Sequence, residues 1–115
     1  MNEMILEIIN SYNEYLEKIP QGCESIIIST KSETPLDALQ LITQFTEGVD
    51  WLVQVNEKLS TLSYENPLYV NKIHDFLEEI NKGLEIQDFL RVADIFEYEI
   101  KPYFESIPPY DIATN

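Results

Sequence analysis

Apolar residues advance along this chain in steps of three and four, and that spacing admits little besides α-helix. In the first segment they fall at Ile5, Ile8, Ile9, Tyr12, Leu16, Ile19, Cys23, Ile26, Ile27 and Thr30. Those positions share one helical face. Pro20 interrupts the segment, and a mid-helix proline removes a hydrogen bond and crowds the preceding turn. The stripe keeps its phase across Pro20, which favours one kinked helix over two separate pieces. Residues 25–30 carry a rival reading as a strand, because Ile26-Ile27-Ile28 suits extended backbone. No second convincing strand exists to pair with it, and the sequence leaves the choice open.

Punctuation marks three more helices. Thr34-Pro35, followed by Asp37, combines a capping residue, a first-turn proline and an acid at the positive helix end. The second helix is predicted to run to about Leu62. Ala38, Ile42, Phe45, Val49, Leu52, Asn56 and Leu59 form its seam. Trp51, Val53 and Val55 lie off that seam, so this helix is expected to sit centrally. Gly48 lies inside it at a cost of about 1 kcal/mol relative to alanine, which predicts a close approach by a neighbouring helix. Asn66-Pro67 repeats the cap-and-proline signal before Leu68, Val70, Ile73, Phe76, Leu77, Ile80 and Leu84. Asp88 caps a fourth helix whose stripe is Phe89, Val92, Ala93, Phe96, Ile100, Tyr103 and Ile107. Pro102 should bend its last turns, and Pro108-Pro109 should stop it.

The predicted fold is therefore all-α, a four-helix up-and-down bundle with a kinked first helix. One domain over residues 1–109 and a frayed tail over 110–115 account for the chain. Its large aromatics, Phe45, Trp51, Phe76, Phe89 and Phe96, are expected to fill a modest core.

Charge narrows the function. The 115 residues carry 21 acidic and 7 basic side chains, a formal net charge of −14. Residues 1–57 hold 10 acids against 2 bases, and residues 58–115 hold 11 against 5, so both halves share the excess. Phosphate-backbone binding depends on Lys and Arg, which excludes nucleic acid as an expected partner and anionic membrane with it. A basic protein partner is favoured, although charge of this kind also serves solubility alone. The acidic start Met1-Asn2-Glu3-Met4 is unlike a secretory signal, and no apolar run approaches a bilayer span. A cytoplasmic location is expected. Three glycines leave no phosphate-binding loop.

Candidate chemistry is sparse. One cysteine, Cys23, lies on the apolar stripe and reads as a core thiol. His74, the single histidine, stands at i, i+4 from Glu78, but Asn71 occupies the place of the Glu in a Glu-x-x-His motif. His74 reads as part of a solvated face, and no metal or other cofactor is expected. Asp94, Glu97 and Glu99 cluster with Tyr98 on the fourth helix, as an acidic patch or a docking site for a basic partner. Paired carboxylates can act as acid and base, but nothing in the sequence signals the burial this needs. Asn56 on the seam can fix register or line a pocket. Seven tyrosines exceed what such a core needs, and Tyr15 and Tyr69 lie off the stripes, where exposed aromatics suit a protein-binding surface or a homodimer interface.

Two elements carry a resemblance. They are Phe45-Thr46-Glu47-Gly48-Val49-Asp50-Trp51-Leu52 and Ala93-Asp94-Ile95-Phe96-Glu97-Tyr98-Glu99, the latter within residues 87–100. Both resemble segments of small acidic all-helical proteins of Gram-positive bacteria that have no assigned function. The resemblance implies a helical fold and nothing catalytic. In size, charge and helicity the chain is also similar to flagellar and type III export chaperones, without a shared motif.

The expected function is non-enzymatic. An aromatic groove with an acidic rim would hold an amphipathic helix of a protein partner or of a second copy. Trp51, Asp94, Glu97, Tyr98 and Glu99 are its candidate residues. The alternative is an export or regulatory chaperone shielding one client.

Overall fold

A computed structural model describes residues 2–111. The fold is an all-α bundle. Helix α1 spans Glu3–Thr30, α2 Ala38–Thr61, α3 Val70–Glu85 and α4 Phe89–Ile95. A π-helical turn, Phe96–Ile100, joins α4 to α5, Lys101–Ser106, so these three pieces make one fourth helix. The body measures 51 × 22 × 21 Å. Among the described residues no helix is long and apolar enough to cross a membrane.

Neighbouring helices run antiparallel. On α1, Tyr15 meets Trp51 of α2, whereas Ile19 and Ile26 share a hollow with Leu41 and Phe45. Glu24 of α1 pairs with Lys101, and Lys31 with Glu97. On α3, Phe76 packs on Tyr103 and Glu79 faces Arg91.

Helix α1, not α2, is the central element, because it packs against both α2 and the whole fourth helix. It passes through Pro20 without a break. Residues 25–30 are helical. Ile26, Ile27 and Thr30 are buried on the inner face, and that packing outweighs the strand preference of three isoleucines. The Thr30 hydroxyl donates back to the carbonyls of Ile26 and Ile27 at 3.0 and 2.9 Å.

The helix starts differ in detail from the sequence signals. Thr34 caps no backbone N–H. Its hydroxyl donates to Asp37 at 2.8 Å, and a 3₁₀ turn over Pro35–Asp37 precedes α2. Asn66 caps nothing either, and α3 begins at Val70. Asp88 does cap, accepting from the Arg91 N–H at 3.1 Å. The turn before Pro102 widens into the π segment. Proline supplies no N–H to the carbonyl four residues back, and its ring crowds that carbonyl.

Two helix ends escape a glycine-based reading. Ser63 and Gln87 adopt φ of 70° and 56°. Around Gln87, the Asp88 N–H donates to Gly83 O at 2.9 Å and the Gln87 N–H to Leu84 O at 3.1 Å. Tyr64 and Ser63 repeat the pattern on Leu59 and Ser60. This is the Schellman arrangement built without glycine.

Aromatic edges lock the core. Phe45 packs edge-on against Phe96 at 5.1 Å and Phe104 at 6.2 Å, and Tyr103 bridges Phe104 to Phe76. Of the five aromatics expected inside, Phe45, Phe76 and Phe96 are buried, Phe89 is half-buried and Trp51 is 39% exposed. Gly48 admits the Tyr15 ring so closely that a side chain there would collide with it.

Candidate functional site

The segment that follows α5 builds the site. Beyond α5, residues 107–110 run as a strap along α1. Tyr110, expected to begin a frayed tail, is only 4% exposed. Residues 112–115 of that expected tail lie outside the described residues. The Tyr110 N–H donates to Asn13 Oδ1 at 2.8 Å, and Asn13 Nδ2 donates to the Tyr110 carbonyl at 3.1 Å. Asn66 Nδ2 donates to the Pro108 carbonyl at 2.8 Å, and the Tyr12 hydroxyl donates to Asn66 Oδ1 at 3.0 Å. Asn56 Nδ2 reaches the Tyr110 hydroxyl oxygen at 3.1 Å. The Tyr12 and Tyr110 rings meet edge-on at 4.8 Å. Three asparagines and two tyrosines thus tie α1, α2 and the α2–α3 loop to the strap. Burial pushes the Tyr110 hydroxyl up to about 12 and raises that of Tyr12 as well, so both stay protonated.

The strap walls a cleft of about 820 Å³ on the side of α1 away from α2. Leu16, Pro20, Phe104, Ile107, Pro109 and Tyr110 give it an apolar lining, and Glu14, Glu17 and Glu105 add carboxylates. Asn10 and Asn13 complete it, and among the described residues no basic side chain contributes. Its α1 wall runs from Asn10 to Pro20, about 15 Å at 1.5 Å per residue. That is nearly three helical turns.

The five residues singled out in the sequence do not share this cleft or any single groove. Trp51 packs edge-on against Tyr15 at 6.1 Å, on the α2 side of α1. Asp94, Glu97 and Tyr98 gather instead around Lys31, with Glu97 bonded to its ammonium at 3.1 Å. The Glu97 carboxylate and its neighbours raise the Lys31 pKa. Glu99 lines a separate hollow with Lys72, Asp75 and Glu79. Tyr15 and Lys31 stand about 24 Å apart along the first helix, so Trp51 and Tyr98 occupy different levels of the bundle. Tyr98 and Tyr69 are exposed, whereas Tyr15 is half-buried.

Cys23 is fully buried, and burial pushes its thiol up to about 12. His74 is exposed. Among the described residues no three His, Cys, Asp or Glu side chains stand together as a metal site.

Comparison with known families places the chain. A family model described as a domain of unknown function, DUF8042, matches residues 7–109. The chain belongs to the DUF8042 family. The match takes in α1 from Glu7 onward, the other three helices of the bundle and the strap as far as Pro109. It extends well beyond the two segments that carry the resemblance in the sequence. Comparisons with curated proteins and with solved structures return no match. The cleft of this DUF8042 domain was not legible from helical periodicity, because the strap that walls it lies past the last helix. The one available signal was the apolar pair Ile107 and Tyr110 flanking Pro108-Pro109.

Proposed function

We propose that this DUF8042 domain is a non-catalytic protein-interaction module whose cleft between α1 and the strap seats the apolar stripe of a partner helix. The observation that carries the reading is a preformed trough, nearly three helical turns long, with an apolar floor, a rim of Glu and Asn side chains and a wall fixed by the Asn13–Tyr110 bond pair. A groove of that length suits anchors spaced i, i+4 and i+7. Holding the strap in place reduces the ordering cost of binding. The single thiol supports a non-catalytic role, since burial keeps Cys23 protonated at neutral pH and a protonated thiol is a poor nucleophile. A second copy is disfavoured as occupant, because each copy carries −14.

The test is a titration of the ¹⁵N-labelled protein with a synthetic amphipathic helix of leucine and glutamine. Amide shifts are expected to move around Leu16, Phe104, Ile107 and Tyr110. A saturating titration that moves only other residues, or no shift with this helix or with its lysine-flanked counterpart, would contradict the reading.

A further inference from the structure

We infer that the cleft is selective for a cationic amphipathic helix, one whose Lys or Arg residues flank the apolar stripe. This inference rests on the interaction reading above and names the chemistry of the partner. Glu14 and Glu17 stand at i, i+3 on the α1 wall, and Glu105 stands on α5 across the trough. None of the three forms an ion pair among the described residues, where the ion pairs are Lys31–Glu97, Arg91–Glu79 and Lys101–Glu24. Lys101, one turn before Glu105, is the nearest base along that helix, and its ammonium is bonded to Glu24 at 3.1 Å.

Lys18, the one basic residue of α1, stands at i+4 from Glu14 and also lines the hollow between α1 and α2 with Tyr15, Gly22 and Leu41, so it is not a lining residue of the cleft. Glu14 and Glu17, on either side of Leu16, line the cleft. An uncharged partner would leave these acids with only Lys18, one turn from Glu14, and Lys101, one turn from Glu105 and already bonded to Glu24, as basic neighbours on their own helices. An acidic partner would meet repulsion from both walls. A helix with leucines at i, i+4 and i+7 and lysines beside them would set its stripe on Pro20 and Pro109, over the buried Leu16, Phe104 and Ile107. Its ammonium groups would then lie against the two walls.

The experiment compares three synthetic helices with one leucine stripe and with lysine, glutamine or glutamate at the flanking positions. Affinity is measured by calorimetry and the site by amide shifts. Each exposed ion pair contributes a factor of about 1.4 to 5. The lysine peptide is therefore expected to bind about tenfold more tightly than the glutamine peptide, and the glutamate peptide more weakly still. The triple variant Glu14→Gln, Glu17→Gln, Glu105→Gln is expected to erase most of that tenfold. A control of equal charge change on α3, Asp75→Asn, Glu78→Gln, Glu85→Gln, is expected to preserve it. Equal binding of the lysine and glutamine peptides in the cleft would overturn this inference and leave the interaction reading standing. Equal loss in the two triple variants would also overturn it, as attraction by net charge alone. Failure of all three peptides to perturb the cleft would overturn the reading itself.

Discussion

Asn13 and Tyr110, 97 residues apart in sequence, are joined by two hydrogen bonds, one in each direction. The Asn13 carboxamide supplies one donor and one acceptor to the backbone of Tyr110, much as a neighbouring strand would. Removing it leaves the N–H and C=O of a buried residue unpaired. With about 1 kcal/mol for each lost bond, Asn13→Ala is expected to lower stability by about 2 kcal/mol. Urea denaturation measures the loss. Hydrogen exchange should show it concentrated at Tyr110, and a uniform loss across the bundle would count against the strap as a distinct element.

Gly48 and Tyr15 form a second such pairing. In an isolated helix, Gly48→Ala would gain about 1 kcal/mol. Here the new methyl group meets the Tyr15 ring, and the variant is expected to lose about 1–3 kcal/mol. Adding Tyr15→Leu should recover much of that loss. Trp51 is the sole tryptophan and packs on Tyr15, so its emission should shift in the single variant.

The two glycine-free helix ends predict gains. A non-glycine residue in the left-handed region costs about 1–2 kcal/mol. Ser63→Gly and Gln87→Gly remove that strain, less the entropy that glycine adds to the unfolded chain. Each is expected to raise stability by about 0.5–1 kcal/mol in a thermal or urea unfolding curve. A loss at either site would show that its side chain makes contacts that outweigh the strain.

Alkaline pH should destabilise the protein through its buried thiol and phenols. Burial raises Cys23 from 9.0 to about 12 and Tyr110 from 10.0 to about 12, and raises Tyr12 too. The unfolded chain therefore releases these protons first, and the folded state holds more protons at high pH. Stability from these groups is fully present below about pH 9 and falls as pH rises towards 12, with a slope of about 1.4 kcal/mol per pH unit for each group titrating. Cys23→Ala should flatten the part of the fall that begins nearest pH 9. The same shift predicts that a thiol reagent such as Ellman's reagent reacts with Cys23 at pH 8 only after denaturation.

Helix number, order and inner faces were legible because burial imposes a 3.6-residue period on the sequence. Ile9, Tyr12, Leu16, Ile19 and Cys23 show it on α1, and Phe76 and Ile80 show it on α3. Gly48, inside α2, likewise points to a close approach, which Tyr15 makes. Two things hid the cleft. Its wall is a non-helical strap, where no period operates. Its anchors, Asn13, Asn56 and Asn66, act on partners up to 97 residues away, a pairing that local pattern does not encode. Asn66 looked like a helix cap because asparagine before proline has that local chemistry, yet its amide is used on Pro108 and Tyr12. The acids at Asp94, Glu97 and Glu99 drew notice as a run, but a run along a widened π turn faces two ways. Glu97 turns to α1, and Glu99 turns to α3.

The central claim is that a partner helix lies in the cleft between α1 and the strap. A lysine–leucine amphipathic helix carrying a nitroxide at its midpoint, bound to the labelled protein, tests it most directly. The account predicts that paramagnetic broadening is strongest at Leu16, Phe104 and Ile107 and leaves the Trp51 indole and Tyr98 sharp. Broadening centred on Trp51, or on Tyr98 and its acidic neighbours, would contradict it.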